Sequence, residues 1–191
     1  MFKILDGVCT PKRGTKYSAY VDLFAREDVT IGAGETKIVK LGVKLDMDFF
    51  ESMFNPDKLD FKTAKVGGLY SDDELRIQKH QLHNFLKSHY LEVALRSSLG
   101  VKGLIISNGI GIIDLDYPGE IGLIVHNPLN DIDLIENYNY CNQNIPPKLR
   151  KFKIKKGDKV AQCTLKEHKG YLLGYESDVV RNFGFGSTGE R

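Results

Sequence analysis

Apolar and polar residues alternate over much of this chain. Leu41, Val43, Leu45 and Met47 repeat every second position, the period of a strand with one face buried. Leu104-Ile105-Ile106, Ile110-Gly111-Ile112-Ile113, then Ile121, Leu123 and Val125, add further short apolar segments. Phe152 and Ile154, followed after a Gly157-Asp158 turn by Val160-Ala161-Gln162-Cys163-Thr164-Leu165, extend the pattern. Gly, Asn and an Asp-Tyr-Pro-Gly sequence punctuate these runs, as turns between strands require. No strand–helix–strand alternation occurs, so a parallel doubly wound sheet is excluded and an all-β barrel or jelly-roll-like sandwich is predicted.

One segment departs from this period. Ser71-Asp72-Asp73-Glu74 is a capping box, in which the Ser71 hydroxyl caps the first turn while Glu74 reaches back to the Ser71 amide. Tyr70 and Leu75 stand where a hydrophobic staple would place them, and Leu75, Leu82, Leu86 and the flanking Phe85 share one helical face through about residue 88. The helix belongs to a charged, strand-poor stretch, 46–90, that reads as an insertion and holds His80, His83 and His89. His80 and His83 fall on the polar flank of the helix, which favours solvated side chains over metal ligands. A second irregular stretch, 129–150, carries Asn137-Tyr138-Asn139-Tyr140 and Pro146-Pro147 and reads as a long loop excursion. The 191 residues are read as one domain, 1–191, bearing these two insertions.

Composition narrows the function. Lys and Arg total 27 against 25 Asp and Glu, a net charge of +2, which argues against a nucleic-acid polymer as partner and leaves room for one locally basic pocket. Cys9, Cys141 and Cys163 are odd in number and show no zinc spacing. No apolar run reaches the ~18 residues of a membrane span and the N-terminus lacks a signal-peptide core, so no membrane association and a cytoplasmic location are expected. With insertions like these, a viral or phage source, and hence a host cytoplasm, is a reasonable expectation.

Glycine is the informative residue. Of 19 glycines, six lie between Gly100 and Gly122 and three between Gly184 and Gly189, beside polar residues whose backbone could approach phosphate. Gly184-Phe185-Gly186-Ser187-Thr188-Gly189 has the form G-x-G-x-x-G, but no helix can follow it, so it is read as a terminal arm, 181–191, able to close over a ligand. Arg96-Ser97-Ser98 offers a guanidinium and two hydroxyls suited to phosphate oxygens. Between Asn108 and Glu120 a hairpin-like pair of strands would present Asn108, Asp114 and Tyr117: an amide able to read a base edge, a carboxylate able to take a proton from water, and a ring able to stack under a sugar.

Five segments then occur in a recognisable order: Ala19-Tyr20-Val21-Asp22-Leu23; Arg96-Ser97-Ser98-Leu99-Gly100; Gly111-Ile112-Ile113-Asp114-Leu115-Asp116-Tyr117-Pro118-Gly119-Glu120; Gly157-Asp158-Lys159-Val160-Ala161-Gln162; and Gly184-Phe185-Gly186-Ser187-Thr188-Gly189. This order resembles the five motifs of the trimeric dUTPase family, over roughly residues 3–45, 91–128 and 151–191. The resemblance implies a jelly-roll-like β-barrel, a homotrimer whose active sites draw on more than one chain, and hydrolysis of dUTP to dUMP and pyrophosphate with Mg2+. It implies Asp114 as the general base and Tyr117 against the deoxyribose. Asn108, Gly109, Ile112, Ile113 and Gly122 would read uracil. Arg96, Ser97, Ser98 and Gln162 would hold phosphates, and Asp22 would sit near Mg2+ through water. Arg181, Phe185, Gly186, Ser187 and Thr188 would close the arm, with Phe185 stacking on the base.

Two positions depart from the pattern. Leu95 stands where the family usually has Pro, and Arg181-Asn182-Phe183-Gly184-Phe185 is one residue shorter than usual, which bears on the reach of Arg181. Two rival readings follow from the same residues. One is the related dCTP deaminase branch or a bifunctional enzyme, although the Asp114-Leu115-Asp116-Tyr117 sequence favours phosphate chemistry. The other is a regulatory binding protein acting through a protein partner at the 46–90 insertion.

Overall fold

The computed structural model describes residues 1–54, 72–128 and 151–174, leaving aside the side chains of 72–75. Short strands dominate: β1 (Phe2–Ile4), β2 (Lys12–Arg13), β3 (Val21–Phe24), β4 (Val29–Ile31), β5 (Thr36–Lys40) and β6 (Val43–Leu45). Two helices, α1 (Met47–Met53) and α2 (Asp72–Ser88), precede β7 (His89–Leu95) and a one-turn α3 (Ser97–Gly100). Then come β8 (Ile105–Ile106), β9 (Gly111–Asp114), β10 (Gly122–His126), β11 (Phe152–Ile154) and β12 (Lys159–Glu167). They form a five-stranded sheet in the order β2-β3-β12-β7-β9, a three-stranded sheet β5-β10-β8, and the pairs β1-β6 and β4-β11. Every pairing is antiparallel, as the jelly-roll-like expectation requires.

The five-stranded sheet is two-faced by simple alternation. Leu23, Leu91, Val93, Ala161 and Cys163 point inward and are buried, joining Val39, Leu41, Val43, Leu123 and Val125 from the facing strands in one core. Burial pushes the Cys163 thiol up to about 12, which keeps it protonated and inert. On the opposite face the cross-strand rows run Asp22–Gln162–Ala94 and Lys166–Tyr90–Asp114, so that surface of the sheet is mostly polar, with Ala94 and Ile112 as its apolar members.

The strand predicted over Leu41–Met47 is divided. Leu41, Val43 and Leu45 do point inward with period two, but β5 ends at Lys40, β6 ends at Leu45, and α1 starts at Met47. Gly42 causes the break: its φ is +63°, and a Cβ there would lie 2.5 Å from Cys9 Sγ. Its amide donates to Glu120 Oε1 at 2.9 Å, while Glu120 Oε2 accepts from Arg26 at 2.8 Å. Gly42→Ala should therefore destabilise the fold by about 3 kcal/mol, the sum of a left-handed backbone cost and a steric overlap. Urea denaturation measures it, and Cys9→Ala in the same chain should recover only the share of the overlap due to Sγ, because the Cys9 Cβ also lies 2.6 Å from the added atom.

The stretch read as an insertion, 46–90, has both ends inside the body of the fold. Phe50 of α1 is fully buried and its ring lies 6.0 Å from Phe85 of α2, which also meets Phe54 at 5.5 Å. Leu82, Phe85 and Leu86 pack on the core, the face expected from their spacing, whereas Ser71 and the side chains of the capping box lie outside the described residues. His89 and Tyr90 belong to β7, the strand between β12 and β9, which the sequence reading placed within the insertion. His89 stacks on Phe85 at 4.3 Å; His80 and His83 are exposed on α2. The interior of the insertion (55–71), the 129–150 excursion and the 181–191 arm lie outside the described residues.

Candidate active site

The first cluster forms around Asp22 on β3. Its side chain is 5% exposed, yet Oδ1 accepts from the Arg96 guanidinium and Oδ2 lies 3.1 Å from Lys159 Nζ. Gln162 is its cross-strand partner on β12 and Lys12 its partner on β2. Arg96 caps α3 with an extended backbone, and its amide donates to Val160 O at 3.0 Å. Ser97 and Ser98, in the first turn of α3, are exposed beside it. Five residues expected from sequence, Asp22, Arg96, Ser97, Ser98 and Gln162, are thus gathered by three strands and a single helical turn. A guanidinium, an ammonium, an amide and two hydroxyls around one carboxylate are the donor set that would suit a multiply charged oxyanion.

Mg2+ fits this cluster in one mode only. Among the described residues no group of three His, Cys, Asp or Glu side chains could hold a metal ion, and both Asp22 oxygens already accept from cations. A cation brought in on phosphate oxygens, touching Asp22 through water, matches the preference of Mg2+ for retained waters and few carboxylates.

The second cluster surrounds Asp114 at the end of β9. The Tyr117 amide donates to Asp114 O at 3.0 Å, closing a turn in which Asp114 and Asp116 are exposed while Leu115 and Tyr117 are buried. Gly119 is required here, because a Cβ would lie 2.6 Å from Tyr117 Oη. That hydroxyl is directed to Glu120 O at 3.4 Å, so the tyrosine is braced by the same segment that pins Gly42. Asn108 and Gly109, exposed, occupy the connection from β8 to β9, Gly109 with φ +73°.

The hairpin-like pair of strands expected between Asn108 and Glu120 does not form as a paired unit. β8 pairs with β10 and β9 pairs with β7, so residues 107–110 cross from one sheet to the other. The Ser107 amide donates to Ile124 O at 2.9 Å, which starts this crossing alongside β10, the strand that begins at Gly122. Asn108 and Gly109 lie in this crossing, and Gly122 opens β10. Ile112 projects from the polar face at 60% exposure, while Ile113 turns toward the core.

The two clusters share one face and lie far apart on it. Asp22 aligns with Ala94 and Asp114 with Tyr90, so four residues of about 3.3 Å and three strand spacings of about 4.8 Å separate them by about 20 Å. That is well beyond the reach of a base acting through one water. Within one chain, the exposed carboxylate and the oxyanion receptor cannot serve the same phosphorus atom.

Glu92, between the clusters, was missed by the sequence reading. It is 8% exposed on β7; Tyr20 donates to Oε1, Tyr90 donates to Oε2 at 3.2 Å, and Lys166 Nζ lies 4.0 Å from Oε1. The hydrogen bond to Glu92, with burial, raises the Tyr20 pKa, and burial with the same carboxylate raises that of Tyr90. The alternation Tyr90-Leu91-Glu92-Val93-Ala94-Leu95 carried the signal: a strand with a carboxylate on its polar side. Glu92 fastens the Tyr20 segment, and so the approach to Asp22, onto the sheet. An open cleft of about 330 Å3 lined by Asn84, Lys87, Ser88, Glu167 and Tyr171 lies where α2 ends, and none of the expected site residues line it.

No protein-family model matches the chain. It is 27% identical to the deoxyuridine 5'-triphosphate nucleotidohydrolase of Rickettsia felis, over 94% of this chain and 87% of that protein. The mouse (Mus musculus) protein of the same name is 28% identical over 98% of this chain and 83% of its own length. Among solved structures, the Streptococcus mutans dUTPase superposes with a TM-score of 0.52 at 20% identity, covering 87% of this chain and 94% of that one. The Staphylococcus bacteriophage 80alpha dUTPase with dUPNHPP superposes with a TM-score of 0.55 at 20% identity, covering 100% and 98%. Along almost its whole length this chain is similar in sequence to proteins named deoxyuridine 5'-triphosphate nucleotidohydrolase, and its fold is the one seen in solved dUTPase structures.

Proposed function

We propose that the chain hydrolyses dUTP to dUMP and pyrophosphate, which keeps uracil out of DNA and supplies dUMP for thymidylate synthesis. One observation carries the reading from geometry: a single sheet face bears an oxyanion receptor at Asp22–Arg96–Gln162 and an exposed carboxylate, Asp114, about 20 Å away. Identical chains around a threefold axis would bring the Asp114 end of one copy against the Arg96 end of the next, completing three equivalent sites. Asp114 then takes the proton from a water attacking the α-phosphate. Arg96, Ser97, Ser98 and Gln162 hold the phosphate oxygens and neutralise charge as the bond breaks. Asn108, Gly109, Ile112, Ile113 and Gly122 read the uracil edge, and the braced Tyr117 supports the deoxyribose.

Mg2+ carried by the triphosphate would supply further charge neutralisation, with Asp22 meeting its water shell. The arm residues Arg181, Phe185, Gly186, Ser187 and Thr188 close over the nucleotide, excluding water from the electrostatic contacts. Among the described residues no helix is long and apolar enough to cross a membrane.

Pyrophosphate release across the four common deoxynucleoside triphosphates and dUTP, with Mg2+ and with chelator, tests the proposal. Turnover confined to dUTP and lost with chelator is the expected result. Ammonia release from dCTP would overturn it in favour of a deaminase.

A further inference from the structure

Lys159 reaches the Asp22 cluster because β12 carries a bulge. Lys159 opposes Phe24 and Ala161 opposes Leu23, leaving Val160 as the extra residue between them. Under regular alternation Lys159 would share the inward face with Ala161 and Cys163. Instead Val160 and Ala161 both turn into the core, fully buried, and Lys159 emerges beside Asp22 and Gln162. The bulge has a second effect: its Val160 carbonyl accepts the Arg96 amide. One irregularity therefore anchors Arg96 and re-aims Lys159 toward the same carboxylate.

The charges do not balance there. Asp22 carries one negative charge against Arg96 and Lys159, with Lys12 as its register partner. Glu92, the other buried carboxylate of this face, is engaged by Tyr20, Tyr90 and Lys166. The cluster keeps a positive excess that suits an anion. The Lys159 side chain is about half exposed on a flexible stem, whereas Asp22 is 5% exposed and fixed, so the ammonium is the member able to leave Asp22 for an incoming oxyanion.

We infer that Lys159 is a phosphate-binding residue, held ready by Asp22 and transferred to the outer phosphates of the nucleotide on binding. The inference rests on the assignment of this cluster to phosphates under the proposed function. Lys159→Met and Lys159→Arg, checked for unchanged melting temperature, should be titrated with α,β-imido-dUTP, dUMP and tripolyphosphate. Lys159→Met should weaken the imido triphosphate and tripolyphosphate by about tenfold or more, the loss of one charge-assisted contact, and leave dUMP within about twofold. Lys159→Arg should restore most of the loss. Equal weakening of dUMP and triphosphate, or no weakening of either, would overturn the inference. A wild-type protein that binds no uridine nucleotide would refute the proposed function instead, and the tripolyphosphate titration would then decide Lys159 by itself.

Discussion

Asp114→Asn should reduce dUTP turnover by about a thousandfold while leaving the affinity for α,β-imido-dUTP within about threefold, since a positioned general base contributes on the order of 10²–10⁴ to rate. The substitution keeps the shape of the side chain and removes its negative charge and its capacity to take a proton. Its backbone surroundings are insensitive to that change: the turn is closed by the Tyr117 amide on the Asp114 carbonyl, and the side chain is exposed. Binding should survive because the Arg96 cluster lies at the other end of the sheet face, and Tyr117 packs against Gly119 and is directed to the Glu120 carbonyl. Steady-state pyrophosphate release and isothermal titration make the two measurements. Retained turnover in this variant would remove Asp114 from the role of base.

Mixing inactive subunits should restore activity. Arg96→Ala and Asp114→Asn homo-oligomers are each expected to be inactive, the first for want of a phosphate ligand and the second for want of a base. If each site combines Asp114 from one copy with Arg96 from its neighbour, random reassembly of an equal mixture leaves about one site in four with both residues intact. Denaturing the two variants together and refolding them should therefore recover about a quarter of wild-type turnover, while a mixture made without denaturation should stay inactive until subunits exchange. A site built within one chain predicts no recovery under any protocol. The separation of about 20 Å between Asp22 and Asp114 on a rigid, paired sheet is the physical reason to expect recovery.

Much of this was legible in the sequence. The two-residue period identified the inward positions Leu41, Val43, Leu45, Leu123 and Val125 correctly. The helical period of Leu82, Phe85 and Leu86 identified the packed face of α2. Glycine marked turns between strands, and at Gly119, inside the glycine-rich centre of the chain, a close approach does require it. These features depend on short-range sterics and on which side of a local element is apolar, and both are written in neighbouring residues.

Partner choice between strands was not written there. Ile105–Ile106 and Gly111–Asp114 are neighbours along the chain, yet each pairs with a strand distant in sequence, β10 and β7 respectively. The span read as an insertion was also too broad, since Phe50 and Tyr90 look unremarkable in sequence until the core and β7 close around them. The sequence by itself determined an all-β chain carrying an ordered set of glycine-rich, hydroxyl-bearing and acidic motifs. Only the tertiary structure decided that Asp22 is paired with Arg96 and Lys159, that a bulge delivers that lysine, and that Asp114 stands far from them on the same face. Register, bulges and long-range ion pairs arise from contacts between residues distant in the chain, so no local pattern of hydrophobicity or turn chemistry could encode them.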